Sequence, residues 1–438
     1  MTASHILQAG NLILQGNALE VLRTLPDKFF SCCVTSPPYF KVRIYPCPET
    51  WWSANKDCVH IPGDVVNYCP LCGGWWGRLG DEDTIYQYIT NLCLVFTEVW
   101  RVLRDDGVLF CNLGDQYAQR GSRNTNEEQK ANKTRTQEKS YGTDAYSGYS
   151  GWDRSAGSLG PGLRTKSLTL APQRLAIALL DLGWRIAAKC TYSKINPLPC
   201  SVKDRPGQDS EEVLMCVKSE NHWYNRDAVR SLQAEKNENG EYEKYASYLK
   251  TTWRMHTQPC VTSHSSSFPD LLAQTCILLS TPKMICECGE NFEPILFEEP
   301  IDTDAQKRMG GRASDGGYDG REQKDYQGQL AQSASASKSR ILKSLIMKNV
   351  IGWVRSCICG VDKPAMWQRP YILDPFMGSG VTAHVAISEG RGVVGIELSP
   401  EHAEVSQTVI ELTELGYGRK ELNRALKKMY PSKVNENV

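Results

Sequence analysis

The sequence lacks any run of about 18 apolar residues, the length that a helix needs to span a bilayer, so a helical membrane anchor is not predicted. Residues 1–10 also lack a basic stretch followed by an apolar core, which argues against a secretory signal and leads us to expect a cytoplasmic protein. Net charge is absent as well, because 50 basic residues balance 50 acidic ones. Any surface that binds nucleic acid must therefore be local.

Cysteine, in contrast, is abundant. With 438 residues, of which 41% are hydrophobic and 23% charged, the composition is that of a globular protein with one large core or two domains. The 17 cysteines are many for a chain in a reducing compartment, where clustered cysteines act as metal ligands more often than as disulfides. Their spacing has to decide their role.

Strand and helix patterns alternate along much of the chain. The predicted elements are a strand–helix–strand unit over residues 11–35, a helix over 84–104, a strand over 108–112, a helix over 172–182 and a strand over 185–192. Gly183 is the predicted C-terminal stop of the helix over 172–182. Strands that alternate with helices of this length are typical of an α/β fold with a mainly parallel sheet covered on both faces.

Two stretches, residues 119–160 and 302–340, interrupt this pattern. Both have few aliphatic residues and many small or polar ones, so we expect mobile loops. The segment from Arg120 to Lys139 holds six basic residues against three acidic ones. It is a candidate contact to a phosphate backbone, and a solvated loop without a partner is the equal alternative.

The tetrapeptide Ser36-Pro37-Pro38-Tyr39 follows a predicted strand. The amino nitrogen of cytosine or adenine is a poor nucleophile, because its lone pair is delocalised into the ring. Ser36 offers a side-chain oxygen and Pro37 a backbone carbonyl that can accept the amino protons, which favours a tetrahedral nitrogen that attacks a methyl sulfonium. Tyr39 supplies a ring on which an extruded base can stack. A proline turn without catalytic function is the alternative interpretation.

A glycine loop near the C-terminus has the pattern of a nucleotide-type site. An apolar strand ends in an acid, a Gly-x-Gly turn and a helix follow, and the next strand ends in a second acid that can accept hydrogen bonds from ribose hydroxyls. A tight turn explains a lone glycine pair, but the acid, the loop and the second acid together favour a cofactor site. The candidate cofactor residues here are Asp374, Phe376, Gly378, Ser379, Gly380, Thr382 and Glu397.

A catalytic turn that precedes a glycine loop resembles the permuted class of DNA amino-methyltransferases called beta. The resemblance covers most of the chain and implies a Rossmann-like methyltransferase sheet, S-adenosylmethionine as cofactor and DNA as partner. Residues 16–25 resemble the segment before the catalytic strand, and Asn17, which stands where the family usually has an aspartate, is a further cofactor candidate that the resemblance implies. Residues 193–197 resemble the loop around the extruded base, and the helix start at Phe268 and Pro269 resembles the one that completes the methionine pocket.

The first residue of the catalytic turn bears on the target base. Members of this class with serine there mostly act on cytosine N4, whereas aspartate or asparagine goes with adenine N6. Ser36 therefore favours cytosine N4. Both targets are aromatic amines with similar demands, so adenine N6 stays open as the alternative.

Two groups of metal-ligating residues have the spacing of structural zinc sites. Cys69 and Cys72 form a knuckle-type turn that Cys58 and His60 can complete, with Cys47 as the competing fourth ligand; the resemblance favours the Cys-x-His pair. The second, all-cysteine group is Cys286, Cys288, Cys357 and Cys359. Four protein ligands leave no open position for a reactive water, so both sites would be structural. Buried or free thiols without a metal are the alternative.

The expected architecture is a methyltransferase core of residues 11–40, 84–192 and 345–415. The expected zinc-bearing segments are 41–80 and 281–360, and residues 197–262 are the expected target-recognition region. The candidates there for reading base edges or phosphates are Trp223, Tyr224, Arg226, Arg230, Trp253 and Arg254. Packing explains the tryptophans equally well.

Three other functions compete with this hypothesis. A carbon-5 cytosine methyltransferase would use a nucleophile such as Cys200 after Pro199, but such enzymes carry the cofactor loop before the cysteine. A methyltransferase of RNA or of a protein amide could use a similar tetrapeptide. A non-enzymatic zinc module would leave residues 372–397 unexplained. The DNA methyltransferase hypothesis itself requires that the Ser36 turn and the glycine loop meet at one edge of the sheet.

Overall fold

The protein is described from a computed structural model. The structure describes residues 1–42, 47–61, 67–118, 163–197, 199–200, 202–229, 249–258, 268–286, 288, 290–299, 347–355, 357 and 367–430. The chain divides into one compact unit of Met1–Tyr224, Lys250–Lys283 and Arg369–Val438, and a second of Asn225–Leu249 and Met284–Gln368. Within the described ranges, none of the helices combines the length and the apolar character needed to cross a bilayer.

The strands, in chain order, are β1 (Leu12–Gln15), β2 (Phe30–Thr35), β3 (Thr50–Trp52), β4 (Trp75–Gly77), β5 (Leu103–Leu113), β6 (Arg185–Lys194), β7 (Ser210–Val217), β8 (Thr252–Met255), β9 (Ile285–Cys286), β10 (Phe292–Glu299), β11 (Met347–Arg355), β12 (Trp367–Gln368), β13 (Tyr371–Asp374) and β14 (Gly392–Glu397). The α-helices are α1 (Ala3–Ala9), α2 (Ala18–Thr24), α3 (Ile85–Val102), α4 (Ala171–Asp181), α5 (Asp270–Ser280), α6 (Val381–Ser388), α7 (Pro400–Glu414) and α8 (Arg419–Met429).

The first unit contains an eight-stranded sheet in the order β1-β14-β13-β2-β5-β7-β6-β8. All neighbouring pairs are parallel except those of β7, which runs antiparallel to both β5 and β6. β2 and β13 are buried along their whole length, as expected for parallel strands that are covered on both faces. The predicted mainly parallel α/β sheet is therefore confirmed.

Helices cover both faces of this sheet. Successive residues of a strand point to opposite faces. Cys33 packs in one apolar cluster with residues of α2, α3 and α4, whereas the thiol of the preceding Cys32 accepts a hydrogen bond from Ser280 at the end of α5. The buried residues of α3 recur at helical spacing, so they form one apolar stripe, and this stripe packs on the sheet. The sheet is thus the middle layer of three.

The strands divide the expected segments in two places. β11 falls where the expected core segment 345–415 overlaps the expected cysteine-bearing segment 281–360; it pairs with β10 in the second unit, and the core sheet resumes at β13. β7 and β8 fall in the expected target-recognition region 197–262, yet both are strands of the main sheet. The apolar run of β7 fits a strand of the main sheet as well as a strand of an appended domain, and no local signal separates the two.

The second unit contains two small antiparallel sheets. β10 pairs with β11, and β9 pairs with β12. In the first unit, β3 and β4 form a further antiparallel pair inside the segment 41–80. The predicted loops 119–160 and 302–340, Arg230 and Cys359 lie outside the described residues.

Candidate active site

The catalytic turn and the glycine loop lie side by side at the carboxyl edge of the sheet. β2 and β13 are neighbouring parallel strands, with Cys32 opposite Ile372. At their ends the hydroxyl of Thr35 donates a hydrogen bond of 2.7 Å to Asp374 Oδ1, although the two residues are 339 positions apart. The segments that follow these strands are therefore held together, as the methyltransferase hypothesis requires.

Both segments line one open cleft of about 940 Å³. The residues that line it are Gly16, Ala18, Ser36, Pro37, Pro38, Tyr39, Cys47, Trp52, Leu79, Pro375, Phe376, Met377, Gly378, Ser379, Val381, Ile396, Glu397, Leu398, Ser399 and His402. The whole predicted catalytic turn belongs to this lining, together with four of the predicted cofactor residues, Phe376, Gly378, Ser379 and Glu397.

Asp374 lies behind the cleft rather than in its lining. Its side chain is almost fully buried, and it accepts hydrogen bonds from Thr35, from the backbone nitrogen of Phe376 and, at 2.6 Å, from the hydroxyl of Thr382. Burial raises the pKa of this carboxyl to about 6, and the hydrogen bonds from Thr382 and Thr35 oppose that rise. Asp374 and Thr382 thus hold the glycine loop from its buried side.

The second predicted acid, Glu397, does face the cleft and also fastens the loop. Its carboxylate accepts 2.8 Å hydrogen bonds from the backbone nitrogens of Gly378 and Ser399. Gly378 has a φ of +56°, a left-handed conformation that favours glycine. Gly380, at φ +82°, is the N-cap of α6 and lies against Val409, outside the cleft lining.

The remaining predicted cofactor residues are not in the lining. Asn17 caps α2, because its Oδ1 accepts from the backbone nitrogens of Leu19 and Glu20. Its amide nitrogen donates to Thr50 at 2.7 Å, so both polar atoms of the side chain have partners within the protein, while its neighbours Gly16 and Ala18 reach the cleft. Phe268 is largely buried and Pro269 is the N-cap of α5.

The catalytic turn presents its polar atoms unequally. The hydroxyl of Tyr88 donates to the carbonyl of Pro38 at 2.8 Å. No hydrogen bond to the carbonyl of Pro37 is found within the described part of the chain. The hydroxyl of Ser36 donates to Tyr39 Oη at 3.3 Å. The turn therefore keeps the Pro37 carbonyl and the second side of the Ser36 oxygen available as acceptors.

Tyr39 is held by polar residues that the sequence did not single out. Its hydroxyl donates to Glu211 Oε2 at 2.7 Å. The amide nitrogen of Asn112 donates to Tyr39 Oη at 2.9 Å and to Glu211 Oε2 at 2.7 Å. Lys194 forms an ion pair with Glu211 at 2.6 Å. Lys194 lies in the segment 193–197 that the sequence indicated, but Glu211 would have required knowing that β7 is a neighbour of β5.

One of the two cysteine groups is assembled as predicted among described residues. The ligand atoms of Cys58, His60, Cys69 and Cys72 all lie within 4.8 Å of one another, and the thiols of Cys58 and Cys69 are 3.8 Å apart. Two thiolates bound to one tetrahedral zinc ion are also about 3.8 Å apart. Cys47, the competing ligand, lines the cleft instead.

The second group lies in the second unit. Cys286, Cys288 and Cys357 have their thiols within 4.8 Å of one another. Cys359, the predicted fourth ligand, is outside the described residues. Three thiols at this distance from one another fit a zinc ion that takes a fourth ligand from elsewhere.

The other candidates from the sequence lie apart from the cleft lining. Trp253 is buried in β8, where its indole nitrogen donates to the carbonyl of Lys250, which indicates a packing role. The backbone nitrogen of Trp223 donates to the carbonyl of Asp106. Cys200 is exposed and lies outside the cleft lining, whereas a nucleophile for carbon-5 methylation would have to line the cleft.

The chain is similar to known methyltransferases over most of its length. A family model described as DNA methylase, N6_N4_Mtase, matches residues 30–289 and 365–408. The type II methyltransferase M.XycI of Xanthomonas campestris pv. cyanopsidis is 32% identical over 401 residues, which are 92% of this chain and 88% of the relative. M.Cfr9I of Citrobacter freundii, also a type II methyltransferase, is 27% identical over 397 residues, 91% of this chain and 86% of the relative.

Among solved structures, PvuII DNA methyltransferase (cytosine-N4-specific) aligns with a TM-score of 0.48 and 13% identity, covering 96% of this chain and 92% of that one.

Proposed function

The chain belongs to the DNA methylases that use S-adenosylmethionine to modify an exocyclic amino nitrogen, cytosine N4 or adenine N6, and from this premise we propose that its target is cytosine N4. Ser36 in the first position of the catalytic turn supports cytosine, because serine there mostly accompanies that target in the beta class. M.XycI and M.Cfr9I are named type II methyltransferases, which supports protective methylation within a restriction–modification pair.

The observation that carries the methyl-transfer reaction is the shared cleft of the catalytic turn and the glycine loop, whereas the choice of cytosine rests on Ser36. S-adenosylmethionine, when bound, supplies a methyl group on a sulfonium. Ser36 Oγ and the Pro37 carbonyl would accept the amino protons of a base extruded from DNA, which would favour a tetrahedral nitrogen with a free lone pair. That nitrogen would take the methyl group as the sulfonium becomes a thioether, and its extra proton would leave to solvent.

The base is identified by product analysis. DNA methylated by the purified protein is digested to nucleosides and analysed by mass spectrometry against standards. We expect N4-methylcytosine. N6-methyladenine would overturn the base assignment and leave the family intact, and 5-methylcytosine would contradict both the turn and the exposed position of Cys200.

We further assign the cofactor to the side of the cleft formed by Phe376, Gly378, Ser379 and Glu397. Backbone at Gly378 can approach a ligand closely, and Glu397 keeps lone pairs for the ribose hydroxyls after binding two backbone nitrogens. Asp374 and Thr382 support this wall without touching the ligand. The Ser36 turn then lies where the methyl group has to be delivered.

We also propose a structural zinc ion at each cysteine group. In the first group, two backbone hydrogen bonds close the turn from Cys69 to Gly74. The nitrogen of Cys69 donates to the carbonyl of Gly74, and the nitrogen of Gly73 donates to the carbonyl of Cys69. Such a turn points both thiols at one position, and His60 lies 3.3 Å from Cys72 Sγ. The ion would hold the segment that carries β3 and β4, because β4 begins three residues after Cys72. Trp52 and Leu79 of that segment line the cleft.

Replacing His60 by alanine is expected to lower the zinc content by about one ion per chain and to reduce the melting temperature by several degrees, since a structural metal contributes folding free energy. Metal content is measured by atomic emission and unfolding by calorimetry. Cys47→Ser is the matched control and should keep the metal. If Cys47→Ser loses zinc and His60→Ala retains it, the ligand set is wrong.

A further inference from the structure

Four polar side chains extend from the catalytic turn along the carboxyl edge of the sheet. Ser36 Oγ lies 3.3 Å from Tyr39 Oη, which lies 2.7 Å from Glu211 Oε2, and Glu211 Oε1 lies 2.6 Å from Lys194 Nζ. The four residues come from three parts of the sheet: Ser36 and Tyr39 from the turn after β2, Glu211 from the start of β7 and Lys194 from the end of β6. The chain of contacts therefore exists only in the folded sheet.

The protons in this chain can be placed by chemistry. Burial acts to raise the pKa of Glu211, but the ammonium of Lys194 and the hydrogen bonds from Lys194, Asn112 and Tyr39 outweigh it and hold the pKa below its ordinary value. Glu211 is thus a carboxylate at neutral pH and can only accept. Tyr39 has one hydroxyl proton and must give it to Glu211. In its contact with Tyr39 Oη, Ser36 must then donate its own proton.

We propose that Glu211 is a positioning residue, which acts through Tyr39 to direct the hydroxyl proton of Ser36 away from the cleft and so presents the serine oxygen to the target amine as a pure acceptor. This inference rests on the proposed function, in which Ser36 accepts an amino proton. A serine hydroxyl that turned freely could instead point its proton at the amine, which would repel the amino hydrogens. Donation to Tyr39 also strengthens the same oxygen as an acceptor.

The surroundings of Tyr39 favour this single arrangement. Asn112 is buried, and its amide nitrogen donates to Tyr39 Oη and to Glu211 together, which fixes their separation. Gly114 lies against the tyrosine ring, since a Cβ there would come within 2.6 Å of Tyr39 Cε2. The ring position that stacks on a base and the hydroxyl position that holds Ser36 are therefore set by the same contacts.

The test compares Glu211→Gln with Tyr39→Phe in methyl transfer from labelled S-adenosylmethionine to DNA. Glutamine keeps the size of glutamate, but Lys194 attracts its carbonyl, so its amide nitrogen faces Tyr39 and reverses the donor order. We expect kcat to fall about tenfold, the effect of one lost hydrogen bond in the transition state, with little change in KM for S-adenosylmethionine. Tyr39→Phe keeps the stacking ring and should lose a similar factor.

The double variant decides whether Glu211 acts through the phenol. In the Tyr39→Phe background, Glu211→Gln should cause no further loss of kcat, because the path to Ser36 is already cut. Glu212→Gln is the matched control: this carboxylate follows in the same strand, binds Gln173 and Lys189 instead, and should leave kcat unchanged.

Two results would overturn the inference. Wild-type kcat in Tyr39→Phe would show that the phenol does not direct Ser36, and full additivity in the double variant would give Glu211 a separate, structural role. Because label transfer counts methyl groups on either base, these outcomes are independent of the cytosine assignment. An inactive Ser36→Ala variant beside a fully active Tyr39→Phe variant would sink this inference alone.

Discussion

Replacement of Ser36 by alanine is expected to lower kcat by about two to three orders of magnitude, the loss seen when one preorganised hydrogen-bonding group is removed from a transition state. Alanine keeps the turn, which Tyr88 and the prolines hold through Pro38, but removes the acceptor for one amino proton. The amine then remains planar and unreactive. The affinity for S-adenosylmethionine should stay near the wild-type value, because Ser36 belongs to the proposed base side of the cleft.

Single-turnover kinetics with saturating cofactor measure this loss, and calorimetric titration measures the affinity. Ser379→Ala is the matched control, since it removes a serine hydroxyl from the proposed cofactor side of the same cleft. It should change cofactor affinity more than kcat. If Ser36→Ala retains most of its single-turnover rate, the serine oxygen does not take part in the reaction.

Replacement of Glu397 by alanine is expected to weaken the binding of S-adenosylmethionine about ten- to hundredfold, because hydrogen bonds to a charged group contribute more than neutral ones. Two losses add here. The ribose hydroxyls lose their acceptor, and the backbone nitrogen of Gly378 loses the partner that holds the loop. Calorimetric titration gives the dissociation constant, and kcat at saturating cofactor should change far less.

Glu414→Ala is a suitable control for this variant, because that carboxylate also accepts a hydrogen bond, from Asn11, but lies outside the cleft lining. It should bind the cofactor normally. Unchanged affinity in Glu397→Ala would place the ribose elsewhere in the cleft.

The parts of this site that the sequence predicted are those encoded within a few adjacent residues. Ser36 to Tyr39 and the glycine loop each combine a strand, a turn and special residues, and parallel strands bring such turns to one edge of a sheet. The cysteine spacing predicted the first cysteine group for the same reason, since Cys69 and Cys72 belong to one turn. Local pattern was sufficient wherever the chemistry was local.

The parts that the sequence missed depend on contacts between distant residues. Tyr39 and Glu211 are 172 positions apart and meet only because β7 inserts beside β5. Asp374 has the pattern of a cofactor ligand, but Thr35 and Thr382 occupy its oxygens, and neither interaction can be seen from spacing. β7 itself carries no signal that separates a core strand from a strand of an appended domain.

The order of strands also constrains how the chain can fold as it is synthesised. β1 and β2 are consecutive in the sequence, yet β14 and β13 lie between them in the sheet. A nascent chain that ends before β13 holds two strands with a gap two strands wide, and each faces that gap with unpaired backbone groups. The sheet can close only when β13 and β14 have been synthesised, so this non-local pairing comes late.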